Sequence, residues 1–155
     1  MTNKFKSTAI GLVLLGATAL SSCSTWYPGK GYKLYKRTLI ENIQTAIEAQ
    51  GVSSYEYLRM DDCFYLQIVG KGNQDPAAYQ YTFGTILYEV KYTYAYNLSG
   101  SLVTISKTDY ANYTWKNNTI EILDTDGATE YKNRKEWLEQ GYVYGCIGHY
   151  DYRNL

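Results

Sequence analysis

A long run of alternating large side chains constrains the fold of this chain more than any other feature of its sequence. From Ile86 to Tyr96 every second residue is aliphatic or aromatic, and most of these residues are tyrosines. Residues two apart lie on the same face of a β-strand, so the run predicts a strand with one largely aromatic face. The aromatic residues between positions 79 and 83 occupy odd positions instead. This change of parity across Gly84 predicts a bulge or bend at that glycine.

Two segments have the residue spacing of helices. Between Tyr32 and Gln50 the apolar residues recur at steps of three and four, and Gly51 follows where a left-handed residue commonly ends a helix. A second helix is predicted over Ala128–Gln140, with Asp124 or Asp126 as its N-cap. We expect the apolar stripe of the first helix to pack against the protein's own sheet.

The segments between the helices favour β-structure, because they are rich in aromatic and β-branched residues and are separated by turn residues. Asp61-Asp62 predicts a tight reversal, and Asn97–Gly100 predicts a turn. The predicted strands are Tyr55–Met60, Cys63–Val69, Tyr79–Asn97, Leu102–Ser106, Thr119–Leu123 and Tyr142–Tyr150. This order predicts an α+β fold, with an antiparallel sheet of about five to six strands, an N-terminal helix and a second helix before the last strand.

Composition limits the classes of function. The chain has 155 residues, enough for one domain, and its 15 basic residues balance 15 acidic ones. Binding to nucleic acid calls for an excess of positive charge that displaces counterions from phosphate, so we expect no nucleic-acid partner. The sequence has no phosphate-binding loop or dinucleotide fingerprint, and its one histidine is His149. We therefore expect no cofactor and no catalytic residues.

The N-terminus has the layout of a secretory signal. Lys4 and Lys6 precede a nearly unbroken apolar run, Ala9–Leu20, which is too short to span a bilayer as a helix. Small residues follow, and the tetrapeptide Leu20-Ser21-Ser22-Cys23 resembles the lipobox of bacterial lipoproteins. This resemblance covers about the first 23 residues and implies nothing about the fold of the rest.

The resemblance implies a lipid anchor. In bacterial lipoproteins the signal is cleaved directly before the cysteine, the sulfur is diacylated and the new amino group is acylated. Here residues 1–22 would be removed and Cys23 would carry the lipid. Pro28, Gly29 and Gly31 indicate that residues 23–31 form a short lipidated tether, which leaves residues 32–155 as one α+β domain. Gram-negative lipoproteins of the inner membrane usually have Asp at the next position, so Ser24 implies the outer membrane. We expect a protein facing the periplasm or the cell surface.

Two further cysteines remain if Cys23 carries lipid. In an oxidising envelope, Cys63 and Cys146 are expected to form a disulfide between the second predicted strand and the last. The alternative is a metal site in which His149 joins both cysteines, since Cys146 and His149 have a C-x-x-H spacing. Residues three apart on a strand point to opposite faces, so we expect no metal.

The tyrosine-rich strand has two interpretations that stay open at the level of sequence. Tyrosine can be the large, half-buried residue of a thin sheet. It can also be a contact residue, because it gives a large contact area at low entropic cost and is enriched at protein interfaces. The candidate contact residues are Tyr88, Tyr92, Tyr94, Tyr96, Tyr113 and Trp115.

These features predict a non-enzymatic, membrane-anchored envelope lipoprotein that binds a protein partner, as assembly, exclusion and immunity factors do. The alternative is a lipoprotein that binds a small ligand or a glycan in a groove lined by the tyrosines. A concave pocket beside the Tyr88–Tyr96 strand would favour the ligand. A flat, exposed aromatic patch would favour the protein partner.

Overall fold

The chain forms a five-stranded antiparallel sheet with one helix packed on each face. The computed structural model describes residues 23, 26–73 and 83–151. Its elements are α1 (Trp26–Glu48), β1 (Tyr57–Lys71), β2 (Thr85–Leu98), β3 (Ser101–Thr114), β4 (Thr119–Leu123), α2 (Gly127–Glu139) and β5 (Val143–His149). The strands lie in the order β4-β3-β2-β1-β5, and each neighbouring pair is antiparallel. The predicted α+β fold is confirmed.

Strand β1 is continuous where the sequence predicted two strands and a reversal at Asp61-Asp62. The ladder to β2 instead shifts register between Met60 and Asp62, so the chain continues through a β-bulge. The side chain of Asp61 is held at this bulge, because its carboxylate accepts hydrogen bonds from Thr93 at 2.6 Å and from Arg59 at 2.6 Å. Two adjacent acids thus mark an irregularity within a strand and not its end.

The hairpin of β2 and β3 contains most of the tyrosine-rich run. Ser99 and Gly100 form its two-residue loop, and both have positive φ angles, of 53° and 85°, as a type I′ turn requires. The bend predicted at Gly84 is confirmed, since Gly84 has a φ of 77° directly before β2 begins. The earlier part of the predicted strand, residues 79–82, lies outside the described residues.

Helix α1 begins earlier than predicted. Residues 26–31 were expected to belong to a tether, but they form the first turns of the helix, and Pro28 and Gly31 are buried. Proline is tolerated there because the first N–H groups of a helix have no intrahelical acceptor. At the other end Gly51, with a φ of 79°, donates to the carbonyl of Glu48, and Val52 donates to that of Ile47. This pair of bonds is a Schellman motif.

The alternation along β2 decides which face each helix covers. Residues at even positions, such as Tyr88 and Val90, share a core with the apolar stripe of α1. Odd positions face α2, where Arg134 contacts Thr85. Helix α2 begins after Asp126, whose side chain makes no capping hydrogen bond. Each face of β2 is therefore covered, which explains why nearly all of this strand is buried.

Candidate functional site

The predicted contact residues lie in the core between α1 and the sheet. Tyr88 and Tyr113 are fully buried, Tyr92, Tyr94 and Tyr96 are at most 8% exposed, and Trp115 is half-buried. The prediction of an exposed surface made by these side chains is wrong. The physical reason is that the apolar stripe of α1 needs an apolar partner, and it packs on the aromatic face of the sheet.

Two of the fully buried tyrosines, Tyr88 and Tyr113, have hydroxyl groups that are hydrogen-bonded within the protein. Tyr88 Oη donates to the carbonyl of Pro28 at 2.6 Å, and Tyr113 Oη donates to Asn118 Oδ1 at 2.8 Å. Burial is the main cause that raises the pKa of Tyr88 well above its usual value. These side chains are thus structural, because a buried hydroxyl needs an internal partner.

One carboxylate links α1 to the sheet. Asp109 accepts a hydrogen bond from Tyr35 on α1 at 2.9 Å and a longer one from Tyr92 on β2 at 3.4 Å. Burial raises the pKa of Asp109, and the hydrogen bonds from the two tyrosines oppose that shift. Burial, followed by the Asp109 charge, raises the pKa of Tyr35 far above its usual range. The cluster is a partly buried polar network that joins α1, β2 and β3.

The cysteines pair differently from the prediction. Cys146 forms a disulfide with Cys23, at a Cα–Cα distance of 6.1 Å, and Cys63 is a free, buried thiol. The predicted Cys63–Cys146 disulfide is wrong because Cys146 lies opposite Gln67 in the β1–β5 ladder. Cys63 is four residues away from Gln67 along β1, about 13 Å, whereas disulfides join Cα atoms less than about 7 Å apart.

The disulfide and the predicted lipid would use the same atom. A cysteine sulfur forms one further covalent bond, so Cys23 carries either a disulfide or a thioether to lipid. The structure describes the disulfide state, and lipid attachment at Cys23 stays a prediction. In an acylated protein Cys146 would be a thiol. The predicted signal peptide, residues 1–22, lies outside the described residues.

An open cleft lies on the opposite side of the sheet from α1. Its volume of about 420 Å³ is in the range of small-molecule sites. The residues that line it come from β3, β4, the following loop and α2, and they are Asn112, Glu121, Leu123, Asp124, Thr125, Asp126, Glu130 and Arg134. None of the predicted tyrosines lines this cleft, so this cleft is not the predicted tyrosine-lined groove.

Arg134 organises the wall of this cleft. It is only 5% exposed, and its guanidinium donates to Glu130 at 2.8 Å, to Thr85 at 3.0 Å and to Asn112 at 3.0 Å. Burial lowers its pKa, and the hydrogen bond and charge of Glu130 oppose that shift. Because Glu130 offsets the arginine charge, the other three carboxylates make the cleft acidic. An amine or another cationic group fits this chemistry.

His149 lies at the edge of the sheet. Its Nε2 contacts Asp62 Oδ1, and its ring packs edge-on against Phe64 with centroids 5.0 Å apart. The alternative metal site with Cys63 and Cys146 is not assembled, because Cys146 is in the disulfide and Cys63 points into the core. Within residues 26–73 and 83–151, together with Cys23, no three potential ligands converge on a metal position.

Sequence reasoning missed the cleft and its buried arginine. The spacing of Glu130 and Arg134 is typical of a helical ion pair, and this was an available local signal. The contacts of Arg134 with Thr85 and Asn112 join residues that are 49 and 22 positions apart in sequence, and no local pattern predicts them.

Comparisons with protein-family models, with curated proteins and with solved structures found no match. In the part of the chain that the structure describes, neither helix has the length and apolarity needed to cross a membrane.

Proposed function

We propose that this protein is a lipid-anchored protein of the bacterial envelope that binds a protein partner and catalyses no reaction. The observation that carries the proposal is the sequence Leu20-Ser21-Ser22-Cys23, which follows a basic start and a short apolar run. Acyl chains on Cys23 hold the protein on a bilayer, because several chains bind far more strongly than one. The outer membrane is the proposed location, on the basis of Ser24.

The partner contact belongs on exposed surface and not on the buried tyrosines. At the outer edge of the sheet, Ile147 on β5 is 39% exposed. Ile147 pairs with Leu66 in the β1–β5 ladder, and His149, two residues further along β5, pairs with Phe64. Ile147, Phe64 and His149 therefore lie on the same face of the sheet. A small apolar centre with charged and polar groups around it is typical of a protein contact.

The acidic cleft favours a second candidate function, the binding of a small ligand. The ligand would carry an amine or another cationic group, which the carboxylates of Glu121, Asp124 and Asp126 would attract. This alternative replaces the predicted tyrosine-lined groove, whose place is filled by α1. A small ligand would raise the melting temperature of the purified protein, by preferential binding to the folded state.

The test combines removal of the anchor with crosslinking in cells. Cys23→Ala removes the sulfur that would be acylated, so we expect the variant to lack lipid mass and to leave the membrane fraction. A photo-crosslinking residue at Ile147 should capture a defined envelope protein in cells that express the wild-type anchor, and capture should fall in the Cys23→Ala background. Intact-mass spectrometry and fractionation measure the anchor, and immunoblotting measures the crosslink.

The matched control places the same crosslinker at Lys116, an exposed residue in the turn between β3 and β4. It should not capture the protein captured at Ile147. A wild-type protein without lipid mass would refute the anchor. Equal capture at both positions would refute a specific contact at the β5 edge.

A further inference from the structure

One exposed stripe of α1 combines an aromatic residue with positive charges. Trp26, Lys30, Lys33 and Arg37 are separated by steps of four, three and four residues, so they share one face of the helix. Trp26 is 61% exposed, and Lys33 and Arg37 are also exposed. We call these four residues the basic–aromatic stripe. It points away from the sheet, because the opposite face of α1 is buried in the core.

The stripe is positively charged along its whole length. Lys36 adds a fourth base beside it, and the helix has no acidic residue before Glu41. Lys30 Nζ lies 4.6 Å from the ring centroid of Trp26, which is a cation–π contact. The overall charge of the chain is balanced, but four of its 15 basic residues lie on this helical segment with no acidic residue among them.

The stripe begins next to the proposed anchor. Trp26 is three positions after Cys23, so their Cα atoms are at most about 11 Å apart in an extended chain. Trp26, the first residue of the stripe, therefore stays close to the bilayer surface when Cys23 carries lipid.

We propose that the basic–aromatic stripe lies on the membrane and binds anionic phospholipid headgroups. This inference rests on the proposed lipid anchor, which brings the stripe to the bilayer. Tryptophan prefers the headgroup level of a membrane, and lysine and arginine keep their charges at the surface while their stems cover apolar atoms. Each base close to an anionic surface increases affinity about fivefold.

The stripe gives the anchored domain an orientation. Acyl chains alone hold the protein at the membrane but leave the domain free to turn. With the outer side of α1 against the headgroups, the opposite face of the sheet points away from the bilayer. That face carries α2, the acidic cleft and Ile147, so the membrane would leave both candidate contact sites accessible.

The experiment measures how close Trp26 comes to lipid. The mature protein is purified from membranes and reconstituted into phosphatidylcholine vesicles with or without phosphatidylglycerol, each containing lipid with a nitroxide near the headgroup. Fluorescence quenching is measured for the wild type and for Trp26→Phe. The difference between the two gives the quenching of Trp26 without the contribution of the other two tryptophans. We expect strong quenching of Trp26 with phosphatidylglycerol, weak quenching without it, and a decrease at high salt, which screens surface charge.

Two triple variants distinguish an effect of the stripe from an effect of the protein's net charge. Lys30→Gln, Lys33→Gln and Arg37→Gln together should abolish most of the quenching. The matched control is Lys107→Gln, Lys132→Gln and Lys135→Gln, which removes three exposed bases elsewhere and should retain the quenching. Equal loss in both triple variants would overturn the proposal. Absence of Trp26 quenching in the wild type would also overturn it and assign the stripe to a protein partner.

Acylation of Cys23 is measured separately from membrane binding by the stripe. Intact mass shows whether the wild type is acylated. If it is not, flotation of the same protein with the two kinds of vesicle tests the stripe alone. Flotation with phosphatidylglycerol only would support the stripe without the anchor, whereas no flotation would refute the stripe.

Discussion

Cys63 shows at the scale of one residue how burial changes chemistry. Its side chain lies in the core with the tyrosines of β2. Burial, followed by the nearby charge of Asp62, raises the pKa of its thiol to about 12. The thiolate is the reactive form of cysteine. Below pH 9 the thiol of Cys63 is therefore protonated in the folded protein. Because the side chain is also fully buried, a thiol reagent cannot reach it.

The prediction at this scale concerns thiol labelling. In a Cys23→Ser, Cys146→Ser variant Cys63 is the only cysteine. At pH 8 a pKa shift from 9 to about 12 lowers the thiolate fraction about a thousandfold. We expect labelling by a disulfide reagent, followed by absorbance, to be slower by at least that factor in the native protein than in guanidinium. Equal rates would contradict the burial of Cys63.

Helix α1 approaches the sheet at a glycine. A Cβ atom at Gly31 would lie 2.4 Å from Tyr88 Oη and 2.7 Å from Tyr113 Cγ, so neither ring could stay in place. Gly29 lies in the same helix, and a Cβ there would meet only the Tyr150 side chain, at 3.3 Å. Both glycines lie in the first turns of α1, but their α-carbons face different sides of the helix. Only the packing of α1 against the sheet makes Gly31 the more sensitive position.

The prediction at the scale of the element compares these two glycines. Gly31→Ala should lower the free energy of unfolding by about 1–3 kcal/mol, because overpacking forces side chains from their preferred positions. Gly29→Ala should be neutral or stabilising, since alanine favours a helix by up to about 1 kcal/mol over glycine. Urea denaturation measures both values. A loss of stability of equal size in both variants would show that α1 does not pack closely at Gly31.

The whole molecule depends on tyrosines that stay protonated. Tyr35 and Tyr88 are fully buried, and burial is the main cause that raises the pKa of each well above its usual value. A group whose pKa is higher in the folded state contributes stability below its unfolded pKa, and that contribution is lost as the pH rises toward the folded pKa. For tyrosine this loss starts near pH 10.

The prediction at this scale is cooperative unfolding in alkali. Above pH 10 an unfolded chain loses tyrosine protons that the folded protein keeps at Tyr35 and Tyr88, so stability falls as the pH rises. For each such group the slope is at most about 1.4 kcal/mol per pH unit. We expect tyrosine ionisation, measured by absorbance, and the loss of secondary structure, measured by circular dichroism, to coincide.

Tyr35→Phe should make the alkaline loss of stability less steep. Tyr57→Phe is the matched control, because it removes a tyrosine that is exposed, and the slope should not change. Ionisation of all tyrosines near pH 10 with native circular dichroism would contradict the burial of Tyr35 and Tyr88.

The sequence by itself determined the local features of this protein. The alternation from Ile86 to Tyr96, the bend at Gly84 and the end of the first helix at Gly51 follow from backbone geometry and side-chain spacing, which depend on residues close together in sequence. Asp61-Asp62 and Pro28 misled the prediction because bulges and helix starts use the same residue types as turns.

Only the tertiary structure decided which surfaces are buried and which distant residues meet. It placed α1 over the tyrosines, Cys146 opposite Gln67 and Arg134 beside Thr85 and Asn112. An aromatic strand face has the same alternation whether a helix or a partner covers it, and a cysteine has the same neighbours in sequence whichever thiol it joins. Burial and pairing depend on strand register and on the packing of whole elements, and these arise only when the chain is folded.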